Sequence, residues 1–260
     1  MKVNFKKYQG TGNDFVMIDN RNFVFDSSDN DLVESLCNRR FGVGADGLIL
    51  LQNKAGYDFE MVYFNSDGRE SSMCGNGGRC IIQFAKELGL INQSCKFLAV
   101  DGEHFGSIDE NGIVAIKMNN VATVEQLGND FILNTGSPHY VKFVDNLDSL
   151  NIVEEAHKIR YSERFSKDGI NVNFVKIEAP NLISIRTYER GVEDETLSCG
   201  TGVVAASIAN FLYQKPENTT TNIDASGGKL KVTFDYDASI FSNVNLIGAA
   251  EKVFEGTVNI

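Results

Sequence analysis

The feature that most constrains this chain is an internal repeat. YFNSDGRESSMCGNGGRC in the first half and YERGVEDETLSCGTGVVAA in the second set a tyrosine and a cysteine at one spacing, Tyr63 to Cys74 and Tyr188 to Cys199. Each cysteine is followed by Gly-polar-Gly (Gly75-Asn76-Gly77 and Gly200-Thr201-Gly202) and then by an apolar, helix-like run. The echo extends upstream. GTGNDFVMIDN from Gly10 answers NTGSPHYVKFVDN from Asn134, and RRFGVGADGLILL from Arg39 answers ERFSKDGINVNFVKI from Glu163. Both halves therefore read strand, strand, helix, strand, strand, cysteine loop, buried helix. Duplication into two similar α+β domains, each a helix wrapped by mainly antiparallel strands, is the economical reading.

Local patterning fills in the elements. Short alternating apolar runs separated by Asn-Gly, Asp-Gly and Gly-Gly turns predict strands at 3–8, 15–18, 48–51, 59–64, 96–100, 113–118, 131–133, 140–144, 172–177, 182–188, 229–234 and 253–258. Helices are expected from Asp29 or Asp31 to near Arg40, over Gly78–Leu88 with Gly89 as its stop, over Asp148–Ile159, and over Val203–Leu212. The last is apolar nearly all round, so it belongs inside. The join between halves is expected around Asn119–Gln126, where the chain turns polar, and the three prolines make no stiff linker.

Composition excludes several classes of function. With 24 Lys and Arg against 35 Asp and Glu, the net charge of −11 offers no basic footprint for nucleic acid. No apolar run is long enough for a membrane helix, and the first residues lack a signal peptide's apolar stretch. The five cysteines are irregularly spaced and odd in number, which points to free thiols in a reducing cytoplasm. Without Cys-x₂-Cys and with three scattered histidines, no metal site is expected.

The chemistry follows from the paired loops. A helix start exposes backbone N–H groups and partial positive charge, glycines let a ligand approach closely, and the same field lowers a thiol's pKa from about 8.5. Each loop can hold a thiol and part of a carboxylate site. Cys37, Cys80 and Cys95 read instead as small buried hydrophobes. Asn13, Asn65, Asn171, Asn173, Ser137-Pro138-His139 and Glu189-Arg190 recur at matching loop positions. Singly, each passes as a turn former; together they favour one shared site. An arginine suits a second carboxylate and a glutamate suits an ammonium group, so the implied ligand is an amino acid with a further polar end.

These strings, GTGNDFVMID, FNSDGRESSMCGNGGRC, GSPH and YERGVEDETLSCGTG, resemble the diaminopimelate epimerase family across essentially the whole chain. The resemblance implies a cofactor-free, metal-independent epimerase interconverting LL- and meso-2,6-diaminopimelate, working as a homodimer on a small diamino dicarboxylate. It implies two pseudo-symmetric domains, each a central helix wrapped by a curved, mainly antiparallel sheet. These are residues 1–118 with a returning strand at 248–260, and residues 119–247, with the site in the cleft between them. By the same resemblance, Cys74 and Cys199 are the catalytic acid–base pair. Gly75, Asn76, Gly200 and Thr201 hold the carboxylate at the reacting centre. Asn13, Asn65, Asn171 and Arg190 hold the substrate, largely its distal end; Glu189 lies near the reacting amino group; and His139 supports the thiols. Two positions depart from the family pattern, Ser137 where Asn is frequent and Gly47 where some members have Gln.

Three other readings fit part of the pattern. A proline or hydroxyproline racemase-like enzyme shares the two-cysteine logic but does not require Asn65, Asn171 and Arg190. A related group of isomerases with this fold lacks the cysteine pair. A thiol redox sensor would switch through a Cys74–Cys199 disulfide.

Overall fold

Strand β1 (Lys2–Gly10) alternates buried and exposed residues, turns through Thr11-Gly12 and returns as β2 (Asn13–Asp19). Thr11 and Gly12 both have positive φ, 51° and 83°, the geometry of the two-residue hairpin turn that matches strand twist. A β-branched residue there is an outlier; the Thr11 hydroxyl is held by Arg79 Nη2 at 3.0 Å. The chain continues through α1 (Asn30–Cys37), β3 (Gly47–Gln52), β4 (Phe59–Asn65), α2 (Gly75–Glu87), β5 (Ser94–Ala99), β6 (Gly102–Ile108) and β7 (Ile113–Lys117). Strands β2 and β3 are parallel, as are β4 and β5, and the other pairs in this run are antiparallel. Parallel neighbours need a crossover, and α1 and α2 are those crossovers.

The second half repeats the scheme. It comprises β8 (Val124–Leu127), β9 (Asp130–Asn134), β10 (Pro138–Phe143), α3 (Ile152–Arg160), β11 (Asn171–Ala179), β12 (Leu182–Glu189), β13 (Asp194–Thr196), α4 (Gly200–Gln214), β14 (Thr220–Ala225), β15 (Gly228–Asp237) and β16 (Ile240–Ala249). Strands β10 and β11 are parallel around α3, and β12 and β14 are parallel around α4. The last strand, β17 (Glu251–Asn259), pairs antiparallel with β1. The computed structural model describes every residue from Met1 to Ile260. Its two units are Met1–Ile116 with Gly248–Ile260, and Lys117–Ile247. No helix is long and apolar enough to cross a membrane.

Each unit has two layers of core around its sheet. In the first, α1 buries Val33 and Leu36 against Phe5, Val16, Ile18, Leu48 and Leu50. In the second, α3 buries Ile152 and Ala156 against Val172, Phe174 and Tyr188. Every fully buried side chain of this size contributes roughly 1.5–3 kcal/mol. Helix α2 packs on β1, β2, β3 and β6, and α4 packs on β9 to β12, β14 and β15. All of α4 from Val203 to Asn210 is buried, as its all-round apolarity requires.

Helices α2 and α4 begin at Gly75 and Gly200, three residues before the expected starts at Gly78 and Val203. Glycine is a poor helix former, so the motif glycines read as loop. The helix instead starts wherever the preceding residue is extended, and that residue is the cysteine. Helix α1 stops at Cys37, short of Arg40, because the Asn38 side chain accepts from the N–H groups of Arg40 and Phe41 at 2.9 and 3.0 Å. Helix α3 starts at Ile152 rather than near Asp148, because Asn151 Oδ1 caps Glu154 N at 3.3 Å. Strands β6, β8, β13, β14 and β16 were not expected. β6 exposes Glu103, Phe105 and Ser107, β8 is polar and largely exposed, and β13 is three residues long, so these three lack the alternating apolar residues that mark a strand.

Candidate active site

Cys74 and Cys199 are the N-caps of α2 and α4, both extended, with φ, ψ of −90°, 132° and −113°, 112°. The first helical bonds close directly onto them, Gly78 N to Cys74 O at 2.7 Å and Val203 N to Cys199 O at 2.9 Å. Each thiol therefore stands at the positive end of a helix dipole. Cys74 is half-buried and Cys199 is buried. All five cysteines are free thiols. Burial pushes the thiols of Cys37, Cys80 and Cys95 each up to about 12, which makes them inert packing groups.

In the first unit the hairpin turn sets Asn13 beside the helix start. Asn13 Oδ1 accepts from Cys74 Sγ at 3.6 Å and from Asn76 Nδ2 at 3.3 Å. Its own amide N–H donates to Asp46 Oδ2 at 2.7 Å. Asp46 belongs to an ion cluster in which Arg39 reaches both Asp46 and Asp14 at 2.6 Å and Lys7 reaches Asp14 at 2.6 Å. Burial alone would raise the Asp14 pKa, but Arg39 and Lys7 outweigh it and hold the carboxyl far below its usual range. Below the first turn lies Arg79, fully buried. It donates to Thr11 Oγ1 at 3.0 Å and to the carbonyls of Gly75 and Ala249 at 3.4 Å, and no carboxylate pairs with it. Burial lowers its pKa. Asn65, at the exposed end of β4, lies opposite Gly47. At Gly47 a Cβ would come within 2.5 Å of Phe64 O and 2.6 Å of the Tyr63 ring, so this chain has no room for a side chain there.

In the second unit a chain of polar groups runs beneath Cys199. Thr201 Oγ1 lies 3.4 Å from Cys199 Sγ and 2.9 Å from His139 Nε2, and Thr135 Oγ1 donates to Thr201 O at 2.8 Å. His139 Nδ1 meets Asn173 Nδ2 at 3.1 Å, and Asn173 Oδ1 accepts from Thr187 Oγ1 at 3.0 Å. His139 and Asn173 are wholly inaccessible to solvent. Burial, aided by the charge of Arg190, pushes the His139 pKa down to about 3, so the ring is neutral near pH 7. Asn171 is also buried. It spends both amide hydrogens on Ser137 Oγ (2.8 Å) and Pro138 O (3.0 Å) and accepts from the Arg190 backbone N–H at 2.8 Å. Its side chain thus shapes the Arg190 loop, and Ser137 serves as one of its acceptors.

That loop joins β12 to β13. Half-buried Glu189 ends β12, and its carbonyl accepts from Glu193 N at 2.8 Å. The Glu193 carboxylate gathers Tyr188 Oη at 2.7 Å and Arg160 and Gly191 N at 3.2 Å, and these hold its pKa down at about 2. Arg190 is exposed. Its guanidinium donates to Asp168 O at 2.8 Å, and no carboxylate of the chain pairs with it, so it remains competent for an external anion.

Each unit thus gathers its own half of the expected residues: Asn13, Cys74, Gly75 and Asn76 in the first, and His139, Asn171, Glu189, Arg190, Cys199, Gly200 and Thr201 in the second. Sequence reading missed Arg79, Asp46 and Thr187 and gave Asn173 no role. The available signals were positional: Asn173 and Thr187 lie two residues from Asn171 and Glu189, hence on the same strand face, and Arg79 lies one helical turn after Gly75. No group of three or more His, Cys, Asp or Glu side chains is gathered as a metal's donor set would be.

The fold recurs in solved structures. A PhzF-family phenazine biosynthesis protein of Bacillus anthracis aligns over all of both chains with a TM-score of 0.78 at 15% identity. A hydroxyproline epimerase of Agrobacterium vitis aligns over 99% of this chain and 92% of its own with a TM-score of 0.67 at 11% identity. These define the fold class that the epimerases, racemases and PhzF proteins share. Within it, the diaminopimelate epimerase family model matches residues 5–124 and 131–253. The diaminopimelate epimerase of Flavobacterium psychrophilum is 53% identical over 97% of this chain and 98% of its own length. That of Chlorobaculum tepidum is 39% identical over 96% and 99%. The chain belongs to the diaminopimelate epimerase family.

Proposed function

We propose that this chain is an isomerase that interconverts LL- and meso-2,6-diaminopimelate by moving the α-proton between two thiols, Cys74 and Cys199. The observation that carries the reading is the matched placement of a cysteine as the extended N-cap of a Gly-polar-Gly helix in each unit. An amino acid α-hydrogen is a weak acid while its carboxylate is charged. Removing it needs fixed positive potential where negative charge grows, and helix N-termini supply that without reorganisation. Inversion needs a base on one face of the carbon and an acid on the other, and two thiols serve both directions by exchanging roles.

In this reading Gly75, Asn76, Gly200 and Thr201 receive the carboxylate at the reacting carbon. Arg190, with the Asn171 that seats it, and the exposed Asn65 receive the distal end, and Glu189 faces the ammonium. Asn13 orients Cys74. The two epimerase domains are residues 1–118 with 248–260, and residues 119–247. Activity requires both thiols reduced, which supports work in the cytoplasm, and the working form is a homodimer, open to test by sedimentation.

The test is incubation of the reduced protein with LL-diaminopimelate in deuterated water, with proline as control. Deuterium entering the α-position of the product with inversion is expected. Exchange on proline in preference to diaminopimelate, or none on either, overturns the reading.

A further inference from the structure

We propose that Asn173 is a positioning residue for Cys199: it fixes the tautomer of His139 and, through that ring, the direction of the Thr201 hydroxyl. The proposal rests on the reading of Cys199 as one of the acid–base thiols.

The polarity of the chain can be assigned from its far end. Asn173 Nδ2 lies 3.0 Å from Tyr140 O and 3.1 Å from His139 Nδ1. A backbone carbonyl only accepts, so the amide N–H₂ must face it, and a flipped amide would set oxygen against oxygen. That orientation leaves Asn173 Oδ1 to accept from the Thr187 hydroxyl at 3.0 Å. His139 Nδ1 therefore faces an N–H and must carry a lone pair. In a ring with no access to solvent, the one proton then sits on Nε2 and is donated to Thr201 Oγ1, 2.9 Å away. With its oxygen accepting from His139, the Thr201 hydroxyl directs its own hydrogen to Cys199 Sγ at 3.4 Å. A donor aimed at sulfur favours thiolate over thiol.

Packing does not call for this arrangement. In the first unit the matched register positions hold Phe15, Ile49 and Tyr63, where the second has His139, Asn173 and Thr187. Burying three polar side chains where apolar ones fit costs stability unless every group is satisfied, and here the chain is satisfied end to end up to the thiol. Gly202 completes the device: a Cβ there would lie 2.4 Å from Asn173 Oδ1 and 3.3 Å from His139 Cε1. The second glycine of the CGTG motif thus admits the amide and ring beneath the helix start.

The test is long-range ¹H–¹⁵N spectroscopy of the reduced full chain, which has only three histidines. His139 is expected to show a protonated Nε2 and a bare Nδ1. Asn173→Asp sets an acceptor against Nδ1 and should move a proton onto it. The kcat for diaminopimelate epimerisation should fall roughly 10- to 100-fold, the loss typical of a buried partner that orients a functional imidazole, with KM within about 2-fold. A wild-type ring protonated at Nδ1, or an Asn173→Asp ring that keeps the wild-type state, overturns the proposal. Should Asn173→Asp fail to fold, Asn173→Ala decides: with no N–H left facing Nδ1, an Nδ1–H population supports the dependence, and an unchanged ring overturns it. Failure of the epimerase reading would show separately, as wild-type protein that exchanges no deuterium into diaminopimelate.

Discussion

The two helix starts share backbone geometry and differ in what lies beneath them. Under Gly77 lie Ile49, Met61 and Phe15, whose nearest atoms are 3.0–3.5 Å from a virtual Cβ. Under Gly202 lie a neutral imidazole and a locked amide. The charges are arranged in opposite ways too. The first helix carries a buried guanidinium, Arg79, bound only to neutral acceptors, where the second has buried Val204. Duplicated halves thus keep one scaffold and give each thiol a different environment, which a reaction alternating between acid and base can exploit.

The largest expected effect tests whether both halves are needed. Cys74→Ala and Cys199→Ala should each lower epimerisation by at least about 10³-fold, measured as deuterium incorporation. Full turnover in either variant breaks the pairing of the halves. By contrast, Cys95→Ala, whose thiol is buried and inert, should leave turnover unchanged.

The glycines come next. Gly202→Ala drives a methyl group into Asn173, whose amide is held on both sides, and should destabilise the protein by about 1–3 kcal/mol. Gly77→Ala meets the flexible end of Ile49 and gains helix propensity, so its effect should stay within about 1 kcal/mol of zero. Paired chemical denaturation measures both, and equal losses would mean the layers beneath the helices do not differ as described.

The smallest effect is a pH signature of the second unit. His139 titrates near 3 folded and near 6.5 unfolded. Below pH 6.5 the unfolded chain binds a proton that the native state refuses. Stability from this group is thus intact above 6.5 and is lost as pH falls toward 3, at up to about 1.4 kcal/mol per pH unit. Asp14 and Glu193, with depressed folded values, lose stability in the same direction, but only once their unfolded forms titrate near pH 4. The interval between pH 6.5 and about 5.5 therefore isolates His139. His139→Asn should flatten the slope there, and an unchanged slope would show that the ring is not buried neutral.

Much of this molecule was legible beforehand. The two Cys-Gly-polar-Gly motifs announced the duplication, although the sheet registers match Tyr188 to Phe64 and set Thr187 where the first unit has Tyr63, and the apolarity of Val203–Leu212 announced a buried helix. Polar β8 and three-residue β13 escaped because their pairing depends on neighbours rather than on their own alternation. Asn171 was legible as a site residue, but that its hydrogens are spent on Ser137 and Pro138 was not.

What the sequence by itself determined was the repeat, the two thiols, their glycine-rich helix starts and the family, because spacing and residue type carry these directly. What only the tertiary structure decided was the wiring: Asp46 orienting Asn13, Arg79 buried without a carboxylate, and the line from Asn173 through His139 and Thr201 to Cys199. The physical reason is that a hydrogen bond's direction depends on every partner around it. Those partners come from strands far apart in the chain and meet only when the sheet registers are set.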